Sequence, residues 1–278
     1  MILENTIKQG SKILKAHNIG TPELDAEIIL SNIMGVTREF LILNNNIKIE
    51  SKILEKYNHA IQRRIKNEPV AYIINKKEFW STNFLINNAT LIPRPETELI
   101  VFEVIKFFKK KKISVLDIGT GCGCILLSIL KELKFSKGVG IDISRQAIKI
   151  AKINAKKLSL VNKATFKTSK IENFNQGKYD LIVSNPPYIS VGQLKYLSKE
   201  ITDYEPISAL NGGIDGLDLI KKVIYKSKSL LNKSGILAIE IGNNQYKKVS
   251  KILEENGFKE LNKVYDFNFN VRCIISTK

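Results

Sequence analysis

The fold is indicated by the stretch ISVLDIGTGCG at residues 113–123, in which a short apolar run ends in alternating glycines. Residues 113–118 are apolar and rich in β-branched side chains, which is typical of a buried strand in a parallel sheet. A helical pattern follows the glycines at residues 125–130. Glycines at a strand-to-helix junction permit a tight turn and the close approach of a ligand to the backbone. The stretch therefore predicts a nucleotide-binding crossover.

An acidic residue follows the next predicted strand. Residues 139–141 are apolar and end in Asp142, at about the separation expected for an acid that binds ribose hydroxyls. Gly119, Gly121 and Gly123 alternate, whereas the dinucleotide fingerprint is G-x-G-x-x-G, and no arginine or lysine follows closely to hold a pyrophosphate. The spacing favours S-adenosylmethionine, which carries adenosine and a sulfonium but no phosphate. A purely structural glycine turn is the alternative.

A second motif, Asn185-Pro186-Pro187-Tyr188, follows another apolar run at residues 179–184. Asn185 and Pro186 each precede a proline, which biases both toward extended backbone. The Asn185 side chain and the carbonyls of Asn185 and Pro186 are then free to accept both hydrogens of a planar NH2 group, and Tyr188 offers a flat apolar face. A plain turn is the alternative, since Asn and Pro are common in turns. The upstream glycine motif favours a holder for an amide or amino-base nitrogen.

From Pro95 onward the pattern alternates between helices and strands, which is the signature of a doubly wound parallel sheet. Helical patterns cover residues 96–108, 124–133, 145–157, 216–231 and 243–256, and strands are expected near residues 113, 139, 164, 180, 235, 262 and 271. The last two strands are predicted to form an antiparallel edge. Ligands of such sheets bind beyond the carboxyl ends of the strands, where the strand order reverses. Both motifs lie at carboxyl ends.

Residues 1–75 carry amphipathic helical patterns and no strand signal, which predicts a small helical domain. Strand-like runs at residues 79–84 and 89–91 flank Asn87-Asn88, which predicts a hairpin that turns at the two asparagines. The predicted organisation is a helical domain at 1–75, a β-hairpin linker at 76–92 and a doubly wound α/β domain at 93–278.

Composition narrows the class of protein. The three cysteines do not make a disulfide framework or a metal cluster. Because no signal-peptide pattern or membrane-length apolar run is present, we expect a cytoplasmic protein. The net charge of +17 would suit nucleic acid, but the excess is lysine in a chain rich in isoleucine and asparagine. That bias indicates drift toward A/T-rich codons as much as a binding face.

The motifs resemble those of a known family. Residues 117–123, 141–144 and 184–189 are similar to the class I methyltransferase motifs of the peptide chain release factor glutamine N5-methyltransferases, the HemK family. Further matches occur in order at residues 68–73, 78–80, 90–98, 205–206, 209–210, 212–217 and 240–242. Residues 94–98 matter most, because the related ribosomal-protein glutamine methyltransferases differ there.

The resemblance implies a seven-stranded, mostly parallel class I methyltransferase sheet and a helical domain that recruits the substrate. It implies transfer of a methyl group from S-adenosylmethionine to the glutamine of the Gly-Gly-Gln motif in class I release factors, in support of translation termination. S-adenosylhomocysteine is then the product, and neither a metal nor specific nucleic-acid binding is expected.

The resemblance also assigns the site. The implied cofactor-binding residues are Gly119, Thr120, Gly121, Cys122, Gly123, Asp142, Lys170 and Asn185. The implied substrate-binding residues are Asn185, Pro186, Pro187 and Tyr188, of which Asn185 and Pro186 are the catalytic groups. Departures from the family pattern are Asn75 for glycine, Ser169 for an acid near the adenine, and Phe269 and Val271 for glycine and aspartate.

Two other functions are compatible with parts of the pattern. Adenine N6 and guanine N2 methyltransferases use the same Asn-Pro-Pro-Tyr cradle, and the chain is basic, but such enzymes should carry an added nucleic-acid-binding module that this sequence lacks. A non-catalytic S-adenosylmethionine-binding module should have lost the cradle, which this chain retains.

Overall fold

The structure, a computed structural model, describes all residues from 1 to 278. Its helices are α1 (Leu3–Ala16), α2 (Pro22–Met34), α3 (Arg38–Leu43), α4 (Ser51–Arg64), α5 (Val70–Ile73), α6 (Glu98–Phe108), α7 (Cys124–Glu132), α8 (Arg145–Lys157), α9 (Val191–Leu194), α10 (Lys199–Thr202), α11 (Asp218–Leu230) and α12 (Tyr246–Glu255). Its strands are β1 (Lys76–Phe79), β2 (Thr82–Leu85), β3 (Ser114–Ile118), β4 (Lys137–Asp142), β5 (Ala164–Thr168), β6 (Tyr179–Ser184), β7 (Leu231–Glu240), β8 (Lys259–Tyr265) and β9 (Val271–Thr277). None of the helices is long and apolar enough to span a bilayer.

The chain divides into two compact units. The helical unit comprises Met1–Lys76 together with Ser198–Tyr204, and the α/β unit comprises Lys77–Leu197 together with Glu205–Lys278. The helical unit is therefore discontinuous in sequence. It includes the short helix α10, which follows the Asn-Pro-Pro-Tyr motif and α9 in the sequence.

The helical unit packs its amphipathic faces around one core. Leu14, Ile29, Leu30, Tyr57 and Ile61 are all buried in it. The apolar residues recur at the three-to-four-residue spacing that places them on one face of each helix, and that face is the one removed from water. The predicted helical character of residues 1–75 is confirmed.

A buried arginine ties three segments of the helical unit together. Arg64 at the end of α4 is only 4% exposed, and its Nε donates to Asp25 Oδ2 at 2.7 Å. Its Nη1 donates to the Glu68 carbonyl at 3.2 Å, and its Nη2 donates to the Glu200 carboxylate of α10. A guanidinium with several donors in a fixed fork suits such a junction, because it can satisfy separate acceptors at once.

The α/β unit is built on a seven-stranded sheet with strand order β5-β4-β3-β6-β7-β9-β8. The β3, β4, β5, β6 and β7 ladders are parallel, and β9 runs antiparallel to both of its neighbours, β7 and β8. The strand order reverses beside β3, where β4 lies on one side and β6 on the other. The predicted doubly wound, mostly parallel sheet with an antiparallel edge is confirmed.

The predicted hairpin is present, but the predicted position of its turn was wrong. β1 pairs with β2, and the connection is Trp80-Ser81, with φ of 50° and 48°. A two-residue hairpin loop with positive φ at both positions is of type I′, which usually selects asparagine or glycine. Here Glu98 Oε1 accepts from the Trp80 backbone N–H at 2.9 Å, and Glu132 Oε1 accepts from the Trp80 indole N–H at 3.1 Å. These distant carboxylates hold the turn, and a sequence pattern does not reveal them.

The Asn87-Asn88 pair still forms a local turn. The Asn87 side-chain oxygen accepts from the Ala89 backbone N–H at 3.0 Å, and the Thr90 backbone N–H donates to the Asn87 carbonyl at 3.0 Å. Residues 89–91 form no strand, so no ladder closes across that turn. The two asparagines therefore form a turn, but no strand follows it to pair with β2.

Asn154 of α8 connects the hairpin to the glycine loop. The side chain is 1% exposed, its Oδ1 accepts from the Leu85 N–H at 2.8 Å, and its Nδ2 donates to the Leu85 and Cys122 carbonyls, both at 2.9 Å. Asn154→Ala should lower the free energy of unfolding by about 2–3 kcal/mol, because it leaves buried backbone groups without partners. The change in unfolding free energy is measured by urea denaturation, monitored through the fluorescence of Trp80, the single tryptophan.

The control for this prediction is Lys152→Ala, an exposed substitution on the same helix. It should change the unfolding free energy by less than about 0.5 kcal/mol. Equal destabilisation by the two substitutions would contradict a specific role for the Asn154 amide.

Candidate active site

A cavity of about 320 Å³ opens at the carboxyl ends of β3, β4 and β6. The ladders place Ile118 opposite Ile141 on one side and opposite Ser184 on the other. Gly119 and Asn185, which follow β3 and β6, and Asp142, the last residue of β4, consequently meet at one place, and all three line the cavity. Its volume lies in the range of roughly 300–1,000 Å³ that is usual for small-molecule sites.

The glycine loop leaves open space beside its backbone. Gly119 and Gly121 have φ of 74° and 54°, and a Cβ added to either would meet no atom within 4 Å. The positive φ angles account for glycine at these positions, and the open space leaves room for a ligand against the main chain. Gly123 differs, because an added Cβ would lie 3.2 Å from Leu127 and 3.3 Å from Ala151, so it serves the packing of α7.

Asp142 faces the cavity with its carboxylate already oriented. Its Oδ2 accepts from the Gly121 backbone N–H at 2.9 Å, and its Oδ1 accepts from the Ser144 backbone N–H at 2.8 Å. Burial raises the pKa of this carboxyl, while the hydrogen bonds from Ser144 and Gly121 lower it. Each oxygen retains a further lone pair, so the carboxylate can accept from two hydroxyls of one ribose.

Asp117, the last residue but one of β3, is fully buried beneath the loop. The Thr120 hydroxyl donates to its Oδ2 at 2.6 Å, and its Oδ1 has no partner. Burial, together with the nearby Asp142 charge, raises the pKa of Asp117 to about 7, against the lowering effect of the Thr120 hydrogen bond. Asp117 does not line the cavity, and its hydrogen bond with Thr120 supports the glycine loop from below.

These features fit S-adenosylmethionine. The open space at Gly119 and Gly121 accommodates an elongated ligand, and the Asp142 carboxylate suits ribose hydroxyls. The exposed Ile143 side chain adds an apolar surface at the cavity wall for a base. No group of three or more His, Cys, Asp or Glu side chains is arranged to hold a metal ion.

Asn185 is fixed by a chain of hydrogen bonds that leads away from the cavity. Its Nδ2 donates to the Thr97 Oγ1 at 3.0 Å, and the Thr97 hydroxyl donates to the Glu240 Oε2 at 2.7 Å. Because the hydrogen bond to Thr97 fixes the side of the amide on which the nitrogen lies, the oxygen of Asn185 is turned away from Thr97 and is the acceptor available to a ligand. Thr97 and Glu240 are both buried, at 2% and 1% exposure.

Tyr188 joins the same buried network. Its hydroxyl donates to Glu240 Oε1 at 3.4 Å and accepts from Arg272 Nη2 at 3.2 Å, and the Arg272 guanidinium lies 5.7 Å from its ring centre. Burial raises the pKa of Glu240 to about 7, against the lowering effects of the Thr97 hydrogen bond and the Arg272 charge. Burial and the Glu240 charge raise the pKa of Tyr188 to about 12.

The structure brings part of the expected set to the cavity. The residues that line it are Gly119, Gly121, Asp142, Lys170, Asn185 and Pro187. The expected residues that do not line it are Thr120, Cys122, Gly123, Pro186 and Tyr188. Ser169, which departs from the family pattern, also lines the cavity, and its backbone N–H donates to the Asp142 carbonyl at 2.9 Å.

Sequence reasoning gave no role to Thr97, Asp117 or Glu240. A charged residue at the carboxyl end of an otherwise apolar strand is a usable signal, and Asp117 and Glu240 both carry it. Thr97 offers no comparable signal, because its importance comes from contacts with residues 88 and 143 positions away.

Comparison with known proteins decides the family. A protein-family model described as PrmC N-terminal domain matches residues 5–74, and one described as Methyltransferase domain matches residues 109–272. The chain is 38% identical to the release factor glutamine methyltransferase of Buchnera aphidicola subsp. Acyrthosiphon pisum (strain APS), over 100% of this chain and 99% of the relative. It belongs to the release factor glutamine methyltransferase family.

A second relative supports the same assignment. The release factor glutamine methyltransferase of Clostridium acetobutylicum is 36% identical over 100% of this chain and 99% of the relative. Because family membership includes the methyltransferase domain, the chain is an S-adenosylmethionine-dependent methyltransferase. The cavity that fits the cofactor lies within the matched residues, apart from its wall at residues 89–91.

Solved structures agree on the fold. The crystal structure of a methyltransferase from Pyrococcus furiosus superposes with a TM-score of 0.56 at 17% identity, covering 80% of this chain and 98% of that chain. The tRNA m1G37 methyltransferase of M. jannaschii gives a TM-score of 0.51 at 16% identity, covering 73% and 56%. At these identities the likeness concerns the fold alone, which is the class I methyltransferase sheet.

Asp142→Ala should weaken the binding of S-adenosylmethionine by about 1.5–3 kcal/mol, the scale of hydrogen bonds to a charged group. The physical reason is the loss of the only cavity-lining carboxylate that is anchored by the glycine loop. Isothermal titration calorimetry measures the change.

The matched control is Asp180→Ala. Asp180 also accepts from a backbone N–H and a side chain, Ser114 and Asn232, but it lies at the amino end of β6. That substitution should cost stability and leave cofactor affinity unchanged. Unchanged affinity in Asp142→Ala would refute the ribose assignment.

Proposed function

We propose that this chain methylates the side-chain amide nitrogen, N5, of the glutamine in the Gly-Gly-Gln motif of class I peptide chain release factors. The relatives from Buchnera aphidicola and Clostridium acetobutylicum carry the name release factor glutamine methyltransferase, and the match extends over their full length. The proposal includes a cytoplasmic location, where translation terminates.

The observation that carries the proposal is the orientation of Asn185. A glutamine amide nitrogen is a poor nucleophile, because its lone pair is delocalised into the carbonyl, and its two hydrogens need acceptors. Asn185 gives its own NH2 group to Thr97, which leaves its oxygen for one of those hydrogens. The carbonyl of Pro186, held extended by the following proline, is the acceptor proposed for the other.

The bound cofactor supplies a methyl group on an electrophilic sulfonium sulfur. Asn185 and Pro186 orient the substrate nitrogen in line with that methyl group. As positive charge grows on the nitrogen, the hydrogen bonds to these two oxygens strengthen, so they stabilise the transition state more than the ground state. The excess proton leaves after transfer. No histidine is needed, and His17 and His59 both lie in the helical unit.

We also propose that residues 1–75 recruit the release factor, that residues 76–92 link the two parts and that residues 93–278 carry out the transfer. The exposed apolar side chains of Ile42 and Leu43, at the end of α3, support a recruiting role, because they are 63% and 81% exposed. Neither residue has a part in the cavity.

The test is methyl transfer from labelled S-adenosylmethionine to a purified class I release factor. Label should appear on the factor and vanish when the glutamine of its Gly-Gly-Gln motif is replaced by alanine. Total RNA and DNA serve as parallel substrates, because the alternative function is methylation of an adenine or guanine amino group held by the same residues. Label recovered chiefly in nucleic acid would refute the proposal.

A further inference from the structure

The hydrogen-bond chain from Asn185 to Glu240 has a definite direction. A carboxylate only accepts hydrogen bonds, and a hydroxyl has a single hydrogen to give. The Thr97 hydrogen is committed to Glu240 Oε2 at 2.7 Å, so the Thr97 oxygen can only accept from Asn185. The amide of Asn185 must then point its nitrogen at Thr97, as it does at 3.0 Å.

We propose that Thr97 and Glu240 are positioning residues that fix the Asn185 amide with its oxygen toward the substrate nitrogen. This inference rests on the proposed function for the identity of the substrate. The orientation of the amide depends only on hydrogen bonds within the protein. The carboxylate, 55 residues downstream of Asn185 in the sequence, selects one of two orientations of the amide that have nearly the same shape.

The two orientations differ in what they offer the substrate. With its oxygen in the cavity, Asn185 accepts a hydrogen from the glutamine NH2 group. After a rotation of about 180° around the last side-chain bond, it would instead present its own NH2 group, and two donors would face each other. Only the first orientation assists the reaction. If the preference for this orientation is lost, the fraction of productive enzyme falls.

Protonation of Glu240 removes the preference for one orientation of the Asn185 amide. The groups around Glu240 are Thr97 and Tyr188, which donate to it, the Arg272 and Glu96 charges, and the buried Cys273 thiol. Burial, together with the nearby Glu96 charge, raises its pKa to about 7, against the lowering effects of Thr97, Arg272 and Tyr188. Below that pH the protonated carboxyl can donate to Thr97, and the Thr97 hydrogen is released for the oxygen of Asn185. The preferred amide orientation is then lost.

Substitutions at Thr97 separate this role from a purely structural one. Thr97→Val keeps the shape but removes the hydroxyl, so kcat should fall about tenfold, the effect of one neutral hydrogen bond, with little change in cofactor affinity. Thr97→Ser keeps the hydroxyl and should restore kcat to within about threefold of the original chain. The matched control is Thr82→Val, whose hydroxyl also joins a donor and an acceptor, Lys131 and Trp80, and it should leave kcat unchanged.

Glu240→Gln tests the pH dependence. In the unsubstituted chain kcat should fall as the pH drops through about 7. The glutamine side chain does not ionise, so its hydrogen bond with Thr97 does not change with pH, and this acid limb should be absent in Glu240→Gln between about pH 6 and 8. An acid limb that persists unchanged in Glu240→Gln belongs to another group and overturns the role of Glu240.

A readout without turnover keeps this inference separate from the proposed function. Side-chain amide resonances of 15N-asparagine, with that of Asn185 assigned by its loss in Asn185→Asp, should titrate with a midpoint near pH 7 in the absence of substrate. The titration should vanish in Thr97→Val and Glu240→Gln. If no release factor is methylated but this pattern holds, only the proposed function fails. Unaltered Asn185 resonances and kcat in Thr97→Val would overturn the inference.

Discussion

Replacement of Asn185 by alanine is expected to lower turnover by about a hundredfold or more, the cost of removing one preorganised acceptor of a transition-state hydrogen bond. Cofactor affinity should change much less, because Gly119, Gly121 and Asp142, which also line the cavity, are left intact. Stability should change little, since Asn185 makes a single side-chain hydrogen bond. Steady-state kinetics with a release factor, together with calorimetry of cofactor binding, measures both effects.

Asn185→Asp is the sharper companion variant. It retains an acceptor for the substrate, so activity should be partial and higher than that of alanine. The new carboxylate cannot donate to Thr97, and it competes with Glu240 for the single hydroxyl hydrogen. Asn175→Ala, an exposed change at a residue that contacts Lys226, serves as the control and should be fully active. Near-normal turnover in Asn185→Ala would show that the substrate amide is held elsewhere.

Arg64→Ala should destabilise the helical unit by about 3–5 kcal/mol, because it strips the buried Asp25 of its charge partner. Hydrogen exchange of the backbone amides in α2 and α4 measures the local opening free energy directly. The same experiment should show little change in the β3 and β6 amides, which belong to the α/β unit.

Two further variants define the origin of that effect. Arg38→Ala breaks an exposed pair with Glu27 and should cost less than about 1 kcal/mol. The double replacement Arg64→Met with Asp25→Leu removes both buried charges and should recover part of the loss, since the remaining penalty of an unpaired carboxylate disappears. Equal exchange rates in Arg64→Ala and Arg38→Ala would contradict the argument.

The sheet could be predicted because its signals are local. The apolar runs at β3 and β6 predict these two strands, and the glycines after β3 predict the turn that follows it. The rule that ligands bind where strand order reverses then predicts the place of the site. The meeting of Gly119, Asp142 and Asn185 at one cavity follows from that rule and is confirmed.

The missed features depend on contacts between distant parts of the chain. The turn at Trp80 is held by Glu98 and Glu132, and no residue in the turn itself predicts positive φ. The orientation of the Asn185 amide depends on Thr97 and Glu240, which flank it in space from two other segments. A sequence pattern locates an amide, but it does not say which of its two atoms faces the ligand.

The discontinuous helical unit limits how this architecture can be rearranged. Glu200, a ligand of the Arg64 guanidinium, is encoded within the α/β portion of the gene, about 120 residues after the last residue of the first helical segment. A recombination event that exchanged residues 1–76 alone would leave Arg64 without that acceptor and would leave α10 without its own unit. The helical unit is therefore not one continuous segment, and we expect engineered chimaeras that exchange residues 1–76 and 198–204 together to be more stable than chimaeras that exchange residues 1–76 alone.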